Sequence, residues 1–228
     1  MSRSSRDPTE FSAVTIAFKF LNKKFVESFL ERGVVKIGTA KEFRIPDGFD
    51  AARSDECELI TEWRPGEAPE EAARTIEVTR EHPFISDIGG KIHPEQTLRM
   101  KFEKRAVVKV HTDAFLYCVS SEVTEHLRTK MLADFGADAC VEIADFEIFA
   151  ALLSGHRRLA GLCWAAGYVK YQDDDPLVYS GSDVFKKRTK YTWQREMRIV
   201  WTGDGIPDVG EVIEVPSLTS FGLLKQKY

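Results

Sequence analysis

Apolar and polar residues alternate with a period of two in several stretches of this chain, and with a period near 3.6 in others. Val14, Ile16, Phe18 and Phe20 share one face of a predicted strand, which turns Lys19 to the other face beside Ala17 and Leu21. Asn22 then reads as the N-cap of a helix running to about Arg32, with Phe25, Phe29 and Leu30 inward and Gly33 ending it. Val34–Ile37 follows as a second strand, closed by Gly38-Thr39.

Pro46–Glu58 is polar, with Asp47-Gly48 as a turn signal, and Arg53 and Asp55 placed to pair with each other. Leu59–Trp63 and Thr75–Thr79 read as paired strands around a hydrophilic excursion. His82–Gln96 reads as a second long loop. Leu98–Phe102 and Ala106–Val110 flank Glu103-Lys104-Arg105 and read as a hairpin. Phe115–Val119 is a strand, and Ser120-Ser121 is placed to cap a helix over Glu122–Phe135 with Val123, Leu127, Met131 and Leu132 inward. Ala137–Ile143 is an apolar strand, Asp145–Leu153 a helix closed near Gly155, and Leu162–Tyr171 and Glu211–Val215 are further strands. Ser217–Tyr228 carries no clear pattern.

The stretch that carries chemistry is Phe185–Trp201, FKKRTKYTWQREMRIVW. Alternation from Glu196 puts Met197, Ile199 and Trp201 on one face and Glu196, Arg198 and Val200 on the other, with Gln194 beside Glu196 when the register is extended back. Pattern alone describes a strand with one buried and one solvated face, in which Glu196 adds little to stability. The sharper reading turns the glutamine and the glutamate together into a cleft.

Gln194-Arg195-Glu196 resembles the Gln-x-Glu element of mono-ADP-ribosyltransferases. There the glutamate contacts the nicotinamide ribose and the glutamine orients the acceptor. The surrounding Phe-Lys…Tyr-x-x-Gln-x-Glu-x-Arg pattern is similar to the last block of a family of uncharacterised bacterial and phage proteins. Phe18-Lys19-Phe20, Gly38-Thr39, Phe43-Arg44 and the Arg53-x-Asp55-x-x-Glu58 spacing resemble its earlier blocks. The resemblance implies an NAD cofactor contacted by Lys19, a pocket lined by Thr39, catalysis by Glu196, and acceptor orientation by Gln194. It also implies a macromolecular acceptor, protein or nucleic acid, in toxin action or phage–host conflict. Lys19 stands where arginine is usual, and lysine lacks the planar fork that clamps phosphate. An ordinary outward lysine on an edge strand fits Lys19 equally well.

The 228 residues are 43% hydrophobic and 30% charged with a net charge of −4, so no global field draws the chain to nucleic acid or membrane. The interleaved cations and aromatics of Phe185–Trp193 are a local exception suited to stacking on bases and contacting phosphates. Cys57, Cys118, Cys140 and Cys163 are scattered and His82, His93, His111, His126 and His156 are single, which argues against a zinc site and for reduced cysteines. There is no phosphate-binding glycine motif for a P-loop ATPase or a Rossmann dehydrogenase, no hydrolase nucleophile elbow, and no apolar run of membrane-spanning length.

These features predict a disordered segment over residues 1–12 and a single α+β domain over 13–228, soluble and cytoplasmic, of undetermined oligomeric state. Its architecture is expected to be a mainly antiparallel split sheet with about three helices, as in the ADP-ribosyltransferase fold. The expected function is NAD-dependent mono-ADP-ribosyl transfer. The alternative is a non-catalytic relative that binds nucleic acid or a protein through the same cleft.

Overall fold

The computed structural model describes residues 15–44, 60–63, 74–78, 83, 85, 98–102, 108–173 and 183–228. The expectations for residues 1–12, for the Arg53–Glu58 spacing and for most of the two long loops lie outside these residues.

In chain order the first elements are β1 (Ala17–Leu21), a 3-10 turn (Lys23–Phe25), α1 (Val26–Arg32), β2 (Val34–Thr39) and α2 (Ala40–Arg44). β3 (Ile60–Trp63), β4 (Arg74–Val78), β5 (Leu98–Phe102), β6 (Val108–His111) and β7 (Phe115–Ser120) follow. Next come α3 (Glu125–Phe135), β8 (Ala139–Ile143), α4 (Phe146–Ser154), β9 (Cys163–Tyr168), β10 (Lys170–Tyr171) and β11 (Lys186–Lys187). A 3-10 segment (Thr189–Gln194), β12 (Glu196–Thr202), β13 (Glu211–Glu214), α5 (Ser217–Ser220) and β14 (Leu224–Gln226) complete the order. The protein is mixed α and β with mostly antiparallel pairing, and it has more helices than the three expected because α2 and α5 are single short turns. No helix among the described residues is long and apolar enough to cross a membrane.

The chain clusters into two compact units. The first takes residues 1–35, 119–160 and 212–228. Here β8 lies between β1 and β14, antiparallel to both, in registers running from Ala17↔Ile143 to Leu21↔Ala139 and from Leu224↔Ile143 to Gln226↔Val141. Ser120, at the end of β7, pairs with Phe18. The patternless tail is thus a helical turn and a strand, recruited by β8 through backbone bonds that its side chains do not advertise.

Caps set the helix boundaries of this unit. Asn22 accepts from the Lys24 amide, as expected of an N-cap, but it starts a 3-10 turn that leads into α1. Gly33 ends α1 at φ 65°, and a Cβ there would lie 2.2 Å from the Val215 carbonyl oxygen, so both handedness and space demand glycine. Val26 and Phe29 form the buried face of α1, whereas Phe25, expected inward, is 53% exposed. α3 starts three residues later than expected because Thr124, accepting from the Leu127 amide, is the cap in place of the serine pair. Of its four expected inward residues only Leu127 is buried, and Leu132 is exposed. Asp145 caps α4 by accepting from the Glu147 and Ile148 amides, each at 3.0 Å. The fully buried Phe149 of α4 meets Phe29 edge-on, ring centroids 6.4 Å apart.

The second unit takes residues 36–118 and 161–211. Its β2 and β7 segments pair antiparallel at Gly38↔Leu116 and Thr39↔Phe115, and β12 pairs with β7 and with β9. Partners in the middle of the chain differ from those expected. β3 pairs with β6 (Ile60↔His111 to Trp63↔Val108) and β4 with β5 (Arg74↔Phe102 to Val78↔Leu98), so one pair is nested inside the other in sequence. Period-two alternation marks these strands but is blind to which of them meet.

Candidate functional site

Glu196 opens β12, and every residue from Glu196 to Trp201 is buried. The solvated face expected for this strand does not exist, since β12 is covered on both faces and flanked by β7 and β9. Val200 joins an apolar cluster with Ala40, Ala114 and Leu116, against which Phe43, Cys118, Val184 and Phe185 pack. On the same face of the strand as Val200, Glu196 and Arg198 are 5% and 0% exposed.

Two charges of opposite sign would be costly there without partners. Arg198 donates its Nε to Glu196 Oε1 at 2.5 Å and a second guanidinium nitrogen to the Val184 carbonyl at 3.0 Å. Lys187 Nζ donates to Glu196 Oε2 at 2.9 Å. The Lys187 amine reaches this point through a short parallel ladder between β10 and β11, which sets Tyr171 beside Lys187. Tyr171 Oη in turn accepts from the Glu196 amide at 2.8 Å, and the Glu196 carbonyl accepts from the Val169 amide at 3.0 Å. Glu196 is therefore fixed at both backbone groups and both carboxylate oxygens.

The electrostatics follow from this packing. Burial alone would raise the Glu196 pKa, but the charges of Arg198 and Lys187 and their hydrogen bonds outweigh it and hold the group well below the usual carboxylate range. Cys118, half-buried on β7, has its thiol pushed up by burial and further by the negative charge of Glu196, so it is held as a neutral donor rather than a reactive thiolate. Burial likewise lifts Tyr171 to about 12, which keeps its phenol neutral.

Gln194 reaches the interior by a route that strand alternation does not describe. Residues 189–194 form a 3-10 segment, and Arg195 lies in the left-handed region at φ 46°, ψ 47°. Arg195 is the single non-glycine residue with positive φ among the described residues. Both neighbours of Arg195 are buried while Arg195 itself is exposed. The backward extension of the strand register through Gln194 thus fails, although Gln194 and Glu196 do both turn inward.

Thr39 is 1% exposed, and its hydroxyl is committed. Its Oγ1 donates to the Asp208 carbonyl at 2.9 Å and accepts from the Glu42 amide at 3.2 Å, while Glu42 Oε2 accepts from the Thr39 amide at 3.1 Å. That reciprocal exchange is a capping box for α2. Lys19 is half-buried in the middle of β1, opposite Val141 of β8, and belongs to the first unit, whereas Thr39, Gln194 and Glu196 belong to the second.

Sequence reasoning singled out Glu196 but missed its two cationic partners. The signal for Arg198 was present, since residues i and i+2 of a strand share a face and here carry opposite charges in an apolar run. Lys187 had no such mark among the neighbouring cations.

The Lys186–Arg195 segment carries five cations and no acidic residue, and all but Lys187 lie outside this buried core. The Tyr191 ring has Lys190 Nζ at 4.8 Å, Lys187 Nζ at 4.9 Å and the Arg188 guanidinium at 5.8 Å from its centroid. The 3-10 segment is tied down at its start by Asp173, which accepts from the amide and the hydroxyl of Thr189 and is held below its ordinary pKa by those bonds. Comparison of the chain with family models, curated proteins and solved structures returned no match, so what this site does must be argued from its own residues.

Proposed function

We propose that the second unit is a binding module for single-stranded nucleic acid, recognised through the Lys186–Arg195 segment. The observation that carries this reading is the sign of the site. Glu196 is paired with two cations, so Lys187, Arg198 and Glu196 together hold one net positive charge, and Lys187 continues that charge to the cations around Tyr191. Such a site attracts phosphate and opposes a developing cation. Tyr191, its ring braced by cations, and the neighbouring half-buried Trp193 supply faces on which bases stack whatever their sequence.

The test is fluorescence anisotropy of a labelled single-stranded oligonucleotide titrated with the full chain over a range of salt. Affinity should fall linearly on a log–log salt plot. Tyr191→Ala should weaken binding by about 1–3 kcal/mol. Lys190→Glu should both weaken binding and flatten the salt slope. Absence of binding at low salt by the folded protein rejects the reading.

NAD-dependent mono-ADP-ribosyl transfer is the second reading, favoured by Gln194 and an ionised Glu196 both turned inward around Arg195. In that reaction Glu196 would stabilise the ribosyl cation, which requires Lys187 to leave the carboxylate when NAD binds. Incubation with labelled NAD and a cell lysate decides it. Label on a protein or nucleic-acid fraction would put the transferase first, and absence of label together with oligonucleotide binding would put the module first.

A further inference from the structure

Four polar side chains are buried in the second unit among the described residues: Thr39, Gln194, Glu196 and Arg198. Thr39 is bonded to Asp208 and Glu42, Glu196 to Lys187 and Arg198, and Arg198 also to the Val184 carbonyl. Gln194 is the exception. It is 7% exposed, and its carboxamide has no hydrogen-bond partner among the described residues. A buried amide in that condition costs the folded chain free energy, and a ligand that pairs with it recovers the cost on binding.

The backbone places this amide beside the aromatic ring of the site. A 3-10 helix has three residues per turn, so side chains at i and i+3 eclipse one another. Over Thr189–Gln194 that period sets Thr189 with Thr192, Lys190 with Trp193, and Tyr191 with Gln194. Gln194 therefore follows Tyr191 on one stripe of the segment, a single turn or about 6 Å further along its axis. Both ends of the stripe are held. Asp173 accepts from the Thr189 amide, and the Glu196 amide, just beyond Arg195, donates to Tyr171 Oη.

We propose that Gln194 reads the edge of a base stacked on Tyr191, and that this base is adenine. The inference deepens the nucleic-acid reading of the site and rests on it. Stacking accepts every base, so selection needs a group that meets a base edge. A carboxamide offers the donor Nε2 and the acceptor Oε1 side by side, which match N7 and the N6 amino group of adenine. Guanine presents two acceptors on the same edge and would leave Oε1 unpaired. Two fused rings cover the tyrosine and still extend one helical turn to the amide, whereas a single-ring pyrimidine has less reach. Lys190, exposed beside Tyr191, remains for the phosphate.

Fluorescence anisotropy with labelled dA, dC and dT strands of equal length tests this on the full chain. The dA strand should bind about 10- to 100-fold more tightly than the dT strand. Replacing its bases by 7-deazaadenine, which lacks the N7 acceptor, should remove most of that preference in the wild-type protein. Gln194→Met keeps the buried volume but removes both polar atoms, and should bring dA to within about threefold of dT. The dT affinity and the salt slope should stay as they were, and Tm should hold or rise because an unpaired buried amide has gone. A glutamine that only filled space would leave the base preference unmoved. Equal affinity for the three strands overturns the assignment and leaves the binding module standing. So does a dA preference that survives 7-deazaadenine or, in the folded variant, Gln194→Met. Failure of every strand to bind overturns both.

Discussion

The two units are built on interiors of different chemistry. The first buries Phe29, Phe149, Leu127, Leu153 and Leu218 together with Val141 and Ile143, and the buried polar side chain among its described residues is Ser120. The second buries Thr39, Gln194, Glu196 and Arg198, with Lys187 at 10% side-chain exposure. An apolar interior is stabilised by area removed from water and tolerates repacking. A charged one is stable only while every member is present, because each ion's desolvation is offset by the others. The difference teaches where to look for function: nothing about folding requires ions inside the second unit, so their presence there needs another reason.

The largest effect should come from removing one member of the charged interior. Glu196→Gln leaves Lys187 and Arg198 buried without a counter-ion and should cost about 3–5 kcal/mol in urea denaturation, whereas Lys187→Met, which leaves Glu196 and Arg198 as a neutral pair, should cost less. This reverses the expectation from the strand pattern that Glu196 adds little to stability. The comparison sharpens if all three ions are replaced together by apolar residues of similar volume. Stability should then return to near the wild-type value or above it, while oligonucleotide binding is lost. If the triple variant is as unstable as the single ones, the interior depends on shape rather than charge, and the contrast between the units fails.

Phe149→Ala in the first unit should cost a similar amount, about 3–5 kcal/mol, through lost area and the cavity left beside Phe29. Its loss should be the same at every pH where the protein folds. That of Glu196 should not. The folded pKa of Glu196 lies below its unfolded value, so its ion pairs contribute in full above the ordinary glutamate pKa of about 4.3 and are lost progressively as acid approaches the folded value. Unfolding followed from pH 6 downward should therefore give a steep acid limb in the wild type and in Phe149→Ala, and a shallower one in Glu196→Gln. Tyr171 works in the opposite direction: its raised pKa gives stability that is full below about 10 and lost as pH rises toward about 12. Tyr171→Phe should flatten that alkaline limb.

Caps should show smaller and more equal effects in the two units. Asp145→Ala removes the acceptor for two amides of α4, and Thr39→Ala removes half of the box at α2, each worth about 1 kcal/mol by chemical denaturation. Thr39→Ala should leave oligonucleotide affinity unchanged, because its hydroxyl is spent on the backbone. The smallest change belongs to Arg195→Gly. Relief of the left-handed conformation, worth about 1–2 kcal/mol, is offset by the freedom glycine gains when unfolded, so stability should move by less than about 1 kcal/mol. If oligonucleotide binding falls nonetheless, the exposed Arg195 side chain is part of the surface that holds it.

Local pattern by itself determined where most strands and helices lie, because side-chain periodicity and caps act over a few residues. Asn22, Asp145 and Gly33 are legible for that reason, and so is the alternation of β12 from Glu196 onward. Gln194 and Glu196 were singled out by their resemblance to a Gln-x-Glu element, since the pattern alone gave them a solvated face. What tertiary structure alone decided is what those residues face. Nothing local distinguishes a strand exposed on one face from one buried on both, and so the solvated face of β12 was misread. Nothing local says that β3 meets β6 across almost fifty residues, or that a patternless tail is recruited by β8. The ion partners of Glu196 were likewise set by the fold: Arg198 by its shared strand face, and Lys187 by a ladder between β10 and β11 that holds one lysine of a run against the carboxylate. Burial and pairing are properties of the assembled chain, since they depend on which surfaces meet. Chemistry at a buried charge is therefore fixed only when its neighbours arrive.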